Sequence, residues 1–115
     1  MSSIKHSNVM KSPKLQGVIV ENILLSLCKK ELSISELSLE LQKKIHLQDK
    51  TFKKHLYHLI DYELVSYSGQ RKKYKIEEGG VDLLDRIDME KNKAMVDIED
   101  IVITIEKDFK YYHSD

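Results

Sequence analysis

Between residues 14 and 30 the apolar side chains Leu15, Val18, Ile19, Ile23, Leu24, Leu27 and Cys28 recur three and four positions apart. That spacing lines one stripe of a helix, so a first helix is predicted over 14–30, opened by Pro13, with Cys28 as a small core residue. The stretch "LSISELSLEL" follows. Ser33 stands three residues before Glu36, the arrangement in which a hydroxyl and a carboxylate reciprocally satisfy the free N–H groups at a helix start. A second helix therefore begins near Ile34, with Ile34, Leu37, Leu41 and Ile45 facing inward. Leu39 falls off that stripe and reads either as an exposed apolar residue or as a partner contact.

After the connection "HLQD", Asp49 is placed to cap a third helix. In "DKTFKKHLYHLIDYE", Phe52, Leu56, Leu59 and Ile60 share one side, which turns Lys50, Lys54, Tyr57, His58 and Asp61 outward with Thr51 beside them. The runs "LVSYS" and "KKYKI", separated by "GQR", read as a two-stranded hairpin around Gly69. Helical spacing resumes in "EEGGVDLLDRI" through Val81, Leu84 and Ile87, with Leu83 flanking. Farther on, Met95, Ile98, Val102, Ile105, Phe109 and Tyr112 alternate three and four apart, a heptad seam of the kind that pairs helices. The β-branched run "IVIT" competes with it as a strand signal, and the heptad register is preferred. A helix over 93–113 is expected, joining two copies of the chain.

Composition adds constraints. With 115 residues, 41% hydrophobic and 33% charged, the chain is sized for one core, and only 4 Gly and 1 Pro favour helices over a sandwich or barrel. A lone cysteine cannot form an internal disulfide, and no apolar run is long enough to span a bilayer. A soluble intracellular protein without membrane attachment is expected, cytoplasmic and associated with the nucleoid. The formal charge is zero, but residues 1–76 hold 14 Lys and Arg against 7 Asp and Glu, whereas residues 77–115 hold 5 against 12. Such an asymmetry points to an anionic partner for the first region, unless the two regions simply attract each other.

The order is helix, short extended link, helix, turn, helix, hairpin, helix. A three-helix core of this size needs the hairpin laid against it, which leaves the basic loop projecting. The fold class expected is α+β, mostly α: a winged helix-turn-helix over 14–90, preceded by a basic arm over 1–13 and followed by C-terminal helices, with 91–115 as the dimerisation segment. "LSISELSLEL" together with "TFKKHLYHLIDYELVSYSGQRKKYKIEEGGVDLL" resembles the corresponding run of small archaeal and bacterial winged-helix regulators. Some archaeal members of that group carry a C-terminal coiled coil similar to residues 93–113. Two departures stand out: Glu63 where the group usually has Gly, and "KIEEGG" where a single Gly is usual.

The resemblance implies binding of double-stranded DNA by a transcriptional regulator. By position it makes Gln48, Lys50, Thr51, Lys54 and His55 the surface that reads the major groove, with Lys53 at its flank on phosphate. It sends Arg71, Lys72 and Lys73 on the wing to the backbone or the adjacent minor groove. Lys5, Lys11 and Lys14 would add sequence-blind attraction. Tyr57 reads equally as a phosphate contact or a partly packed ring, and Asp61 marks where the footprint stops. Two other readings remain open: a winged helix used for protein contact, and a non-specific chromatin-type protein. His46, His55, His58 and Cys28 do not assemble a convincing metal site. No catalytic triad, phosphate-cradling loop or carboxylate pair is present. Neither an enzyme nor a cofactor is expected, and no small-molecule effector is identifiable from the residues.

Overall fold

A computed structural model of the chain describes residues 14–94 and 102–104. The elements in order are β1 (Lys14–Gln16), α1 (Gly17–Lys29), α2 (Ile34–Gln42), α3 (Asp49–Asp61), β2 (Val65–Ser68), β3 (Lys73–Ile76), α4 (Glu78–Ala94) and β4 (Val102–Thr104). The fold is α+β and mostly helical. The arm over 1–13 and the heptad positions Met95, Ile98, Ile105, Phe109 and Tyr112 lie outside the described residues.

Helix α1 is central and packs against α2, α3, α4 and β3. Its buried stripe, Ile19, Val20, Ile23, Leu24 and Leu27, meets Leu37 and Leu41 of α2, Phe52, Leu56 and Leu59 of α3, and Leu83 and Ile87 of α4 in one cluster. Each fully buried Leu or Phe in this cluster contributes roughly 2–3 kcal/mol. Cys28 is not part of it: the thiol lies exposed in the last turn of α1, because the stripe turns away after Leu27. On α4 the buried line runs through Gly80, Leu83 and Ile87, and Val81 is exposed rather than inward.

The capping box at the start of α2 forms as the sequence predicts. Ser33 Oγ accepts the Glu36 N–H at 3.2 Å, and Glu36 Oε1 accepts the Ser33 N–H at 2.9 Å. The start of α3 differs. Its N-cap is Gln48, which makes no side-chain cap bond, while Asp49 lies inside the first turn and pairs with Lys53 at 3.1 Å.

Strands β2 and β3 form the expected antiparallel hairpin, and Leu32 from the link between α1 and α2 bridges Tyr74 on the far edge of β3. The loop spans 69–72. Its left-handed residue is Lys72 (φ 56°), not Gly69.

Two expectations fail at the ends. Residues 14–16 are a strand rather than the first turn of a helix, and residues 102–104 are a strand rather than part of a helix over 93–113. The two segments pair antiparallel, Leu15 opposite Ile103, and both side chains are buried in the core cluster. The β-branched run "IVIT" gains backbone partners on β1 and an apolar seat for Ile103, which together outweigh the heptad spacing. The chain therefore folds back on its own domain at Val102–Thr104. Helix α4 packs on that domain too, through Lys91, whose Nζ lies 2.9 Å from Glu21 of α1.

Candidate nucleic-acid interface

The outer face of α3 is a stripe of Lys50, Lys54, Tyr57 and Asp61, all exposed and spaced four, three and four apart. Lys50 and Lys54 form no ion pair among the described residues. Lys53, beside them, is held by Asp49.

Three of the predicted residues of α3 and its N-cap lie off this stripe. His55 is 3% exposed. Its Nδ1 lies 2.8 Å from the Thr51 carbonyl and its Nε2 accepts the Gln16 backbone N–H at 3.0 Å. It therefore faces the β1–α1 junction, buried away from the exposed surface on which the sequence placed it. The inner stripe of α3 is rotated toward His55 and away from Ile60, which is only partly buried. Burial lowers the imidazole pKa, with the Thr51 hydrogen bond opposing and the charges of Lys54 and His58 assisting. Gln48 and Thr51 line an open recess of about 730 Å³ with Gln16, Val18, Lys44 and His46, on the flank of α3 that meets α1.

The hairpin carries a cross-strand pair of tyrosines. Tyr67 and Tyr74 stand directly opposite each other on β2 and β3, with ring centroids 4.6 Å apart and planes tilted by 46°, an arrangement in the favourable range for aromatic pairs. Tyr74 is 8% exposed and anchors the group, while Tyr67 is 47% exposed and Tyr57 of α3 48%. Burial raises the Tyr74 pKa, and the proximity of Tyr57 and Tyr67 raises it further.

The wing cations point in different directions. Arg71 donates from Nε at 3.1 Å and from Nη2 at 2.8 Å to Glu31 Oε1, and Lys73 Nζ is 3.8 Å from Glu36. Both carboxylates belong to the α1–α2 link and the start of α2. The Lys73 charge and, more strongly, the Ser33 N–H bond lower the pKa of Glu36. Lys72 at the loop and Lys75 on β3 are exposed and form no ion pair among the described residues. Lys50 and Lys54 on α3 and Lys72 and Lys75 on the hairpin are therefore the exposed cations of these elements that have no carboxylate partner among the described residues.

Tyr67 and Lys75 were absent from the candidates drawn from sequence. The period-two pattern of "SYS" and "KYKI" carried the signal, since it places Tyr67 with Tyr74 on one face and Lys73 with Lys75 on the other.

Among the described residues no three His, Cys, Asp or Glu are gathered to hold a metal, and no helix is long and apolar enough to cross a membrane. Comparison with known protein families, curated proteins and solved structures found no match to this chain.

Proposed function

We propose that this chain is a winged helix-turn-helix protein that binds double-stranded DNA as a transcriptional regulator, with α3 in the major groove and the β2–β3 hairpin as the wing. One observation carries the reading. Lys50 and Lys54 on the outer stripe of α3 and Lys72 on the β2–β3 loop are all exposed and form no ion pair among the described residues, so both the helix and the hairpin that this reading sends to DNA carry unneutralised cations. A major groove about 12 Å wide admits one helix, and a hairpin on the same side reaches the neighbouring backbone. Helix α4, whose exposed residues include Asp85, Asp88 and Glu90, would lie away from the phosphates. The proposal concerns a single chain, because the strand at Val102–Thr104 interrupts the helix that a heptad dimer requires.

The test is a salt titration with duplex DNA on the wild-type chain and on a Lys50→Glu, Lys54→Glu variant of confirmed helicity. About six phosphate contacts give a slope of log K against log salt near −5, at about −0.9 per contact. The double variant loses binding. Equal affinity of variant and wild type removes α3 from the interface.

A second reading, a winged helix used for protein contact, is favoured by two observations. Leu39 is 61% exposed on α2, and the wing cations Arg71 and Lys73 already have carboxylate partners. Absence of DNA binding at low salt selects it.

A further inference from the structure

Where α3 turns into β2 and β3 runs into α4, the chain leaves an open recess of about 560 Å³. Backbone hydrogen bonds fix its frame: Leu64 N–H donates to the Leu59 carbonyl at 2.9 Å, and Glu77 N–H to the Leu64 carbonyl at 3.0 Å. Ile60, Tyr62 and Tyr67 supply an apolar and aromatic wall, and Tyr67 is held against Tyr74 across the hairpin. Glu77 and Glu78 line the same recess. Glu77 accepts the Ser66 hydroxyl, and neither carboxylate forms an ion pair among the described residues. No Lys, Arg or His among the described residues lines the recess.

Its volume lies in the range of small-molecule sites. Carboxylates without cationic partners favour a positively charged occupant, and aromatic faces attract the same charge. The apolar wall adds a requirement for carbon around that charge. A metal ion does not meet it, and no three His, Cys, Asp or Glu among the described residues are gathered to hold one.

We propose that this recess binds a small organic cation, an ammonium or amidinium group on an apolar or aromatic body, with the charge at Glu77 and Glu78 and the body against Ile60, Tyr62 and Tyr67. The lining comes from the end of α3, from β2 and from the start of α4, so the ligand touches all three elements at once. The site stands apart from the DNA-binding reading, since its readout is the ligand alone.

The full-length isotope-labelled chain is titrated with benzyltrimethylammonium, with benzyl alcohol and with benzoate while its amide spectrum is recorded. Benzyltrimethylammonium is expected to shift the amides of Leu64, Val65, Tyr67, Glu77 and Gly79 and to saturate with a Kd of about 1 mM, the range open to so small a probe. Benzyl alcohol binds at least about fivefold more weakly, and benzoate leaves these amides in place. Glu77→Gln and Glu78→Gln keep the shape of the side chain and an oxygen that accepts hydrogen bonds. Each weakens the cation about fivefold, the effect of one unit charge about 4 Å away in water, and leaves benzyl alcohol unaffected.

Absence of shifts at these amides with the cation, or shifts centred on another part of the chain, overturns the site. Benzyl alcohol bound as tightly as the cation overturns the proposal too, as does wild-type affinity for the cation in both glutamine variants. None of these results bears on duplex binding by α3 and the hairpin.

Discussion

His55 Nε2 accepts the backbone N–H of Gln16 at 3.0 Å across 39 residues of sequence, and this bond ties α3 to the junction of β1 and α1. The acceptor role requires a deprotonated Nε2. The Nδ1 proton then goes to the Thr51 carbonyl, 2.8 Å away. One tautomer of the neutral ring satisfies both partners, and protonation at Nε2 breaks the bond to Gln16.

The consequence is a pH dependence of stability. Burial holds the folded pKa of His55 below the ordinary value of 6.5, so the unfolded chain takes up the proton first. Its contribution is complete above the unfolded pKa and is lost as pH falls below 6.5 through the folded pKa. Urea denaturation at neutral and mildly acidic pH should show stability declining with acidification. A His55→Gln variant should be less stable at neutral pH by about 1–3 kcal/mol, the range for a disturbed buried hydrogen bond, and should depend less on pH. An unaltered pH profile in that variant rejects the assignment.

Glu63 closes α3 in the left-handed region at φ 64°. Around it Leu64 N–H donates to the Leu59 carbonyl at 2.9 Å and Glu63 N–H to the Ile60 carbonyl at 3.0 Å, the Schellman pattern that most often places Gly at this position. A left-handed L-residue costs roughly 1–2 kcal/mol, and Gly returns roughly 0.5–1 of that in backbone entropy. Glu63→Gly should therefore stabilise the domain by about 0.5–1 kcal/mol in thermal or chemical unfolding. Glu63→Ala, which keeps the Cβ, should not.

The two adjacent glycines at the start of α4 should respond differently to alanine. A Cβ on Gly80 would collide with the Leu64 carbonyl oxygen, a backbone atom that cannot retreat easily, and lie 2.7 Å from Ile76 Cγ1. A Cβ on Gly79 meets chiefly Leu64 Cδ2, at 2.9 Å, the end of a flexible side chain. Gly80→Ala is expected to destabilise by about 2–3 kcal/mol through overpacking. For Gly79→Ala the expectation is near zero, since a helix-propensity gain of about 1 kcal/mol offsets the contact. Equal effects at the two sites would contradict the packing described for α4.

The wing pairs set a limit on DNA affinity that can be lifted. Glu31 holds Arg71 through two donors, and Glu36 lies 3.8 Å from Lys73. Glu31→Gln and Glu36→Gln should raise affinity for duplex DNA several-fold at low salt, because each removes an anion beside the wing and frees a cation for phosphate. Glutamine at position 36 can still serve the capping box, and exposed ion pairs of this kind are worth about 0–1 kcal/mol, so folding is little affected. Unchanged or weakened DNA binding in both variants would argue that the wing faces another partner.

Local order was legible in the residues because its causes lie within a few positions. The stripes of α1, α2 and α3 follow from apolar spacing, and the start of α2 from Ser33 and Glu36 three apart. The hairpin follows from two β-rich runs around a short polar turn. Even the departures at Glu63 and at Gly79–Gly80 were visible as unusual residues. Their meaning was not, since the left-handed cap and the close approach of α4 to Leu64 exist only after the elements have packed.

What the tertiary structure decided depends on partners far apart in the chain. Periodicity left the His55 side of α3 undecided, and the Gln16 N–H settled it by offering the imidazole a buried donor. The heptad spacing favoured a helix through "IVIT", and the edge of Lys14–Gln16 selected the strand instead by supplying backbone hydrogen bonds. Sequence assigned Arg71 and Lys73 positive charge, but Glu31 and Glu36 determined where that charge points. A residue's type and spacing define which face it can join; which neighbour completes that face is a matter of long-range geometry, where hydrogen-bond satisfaction and close packing outweigh local preference.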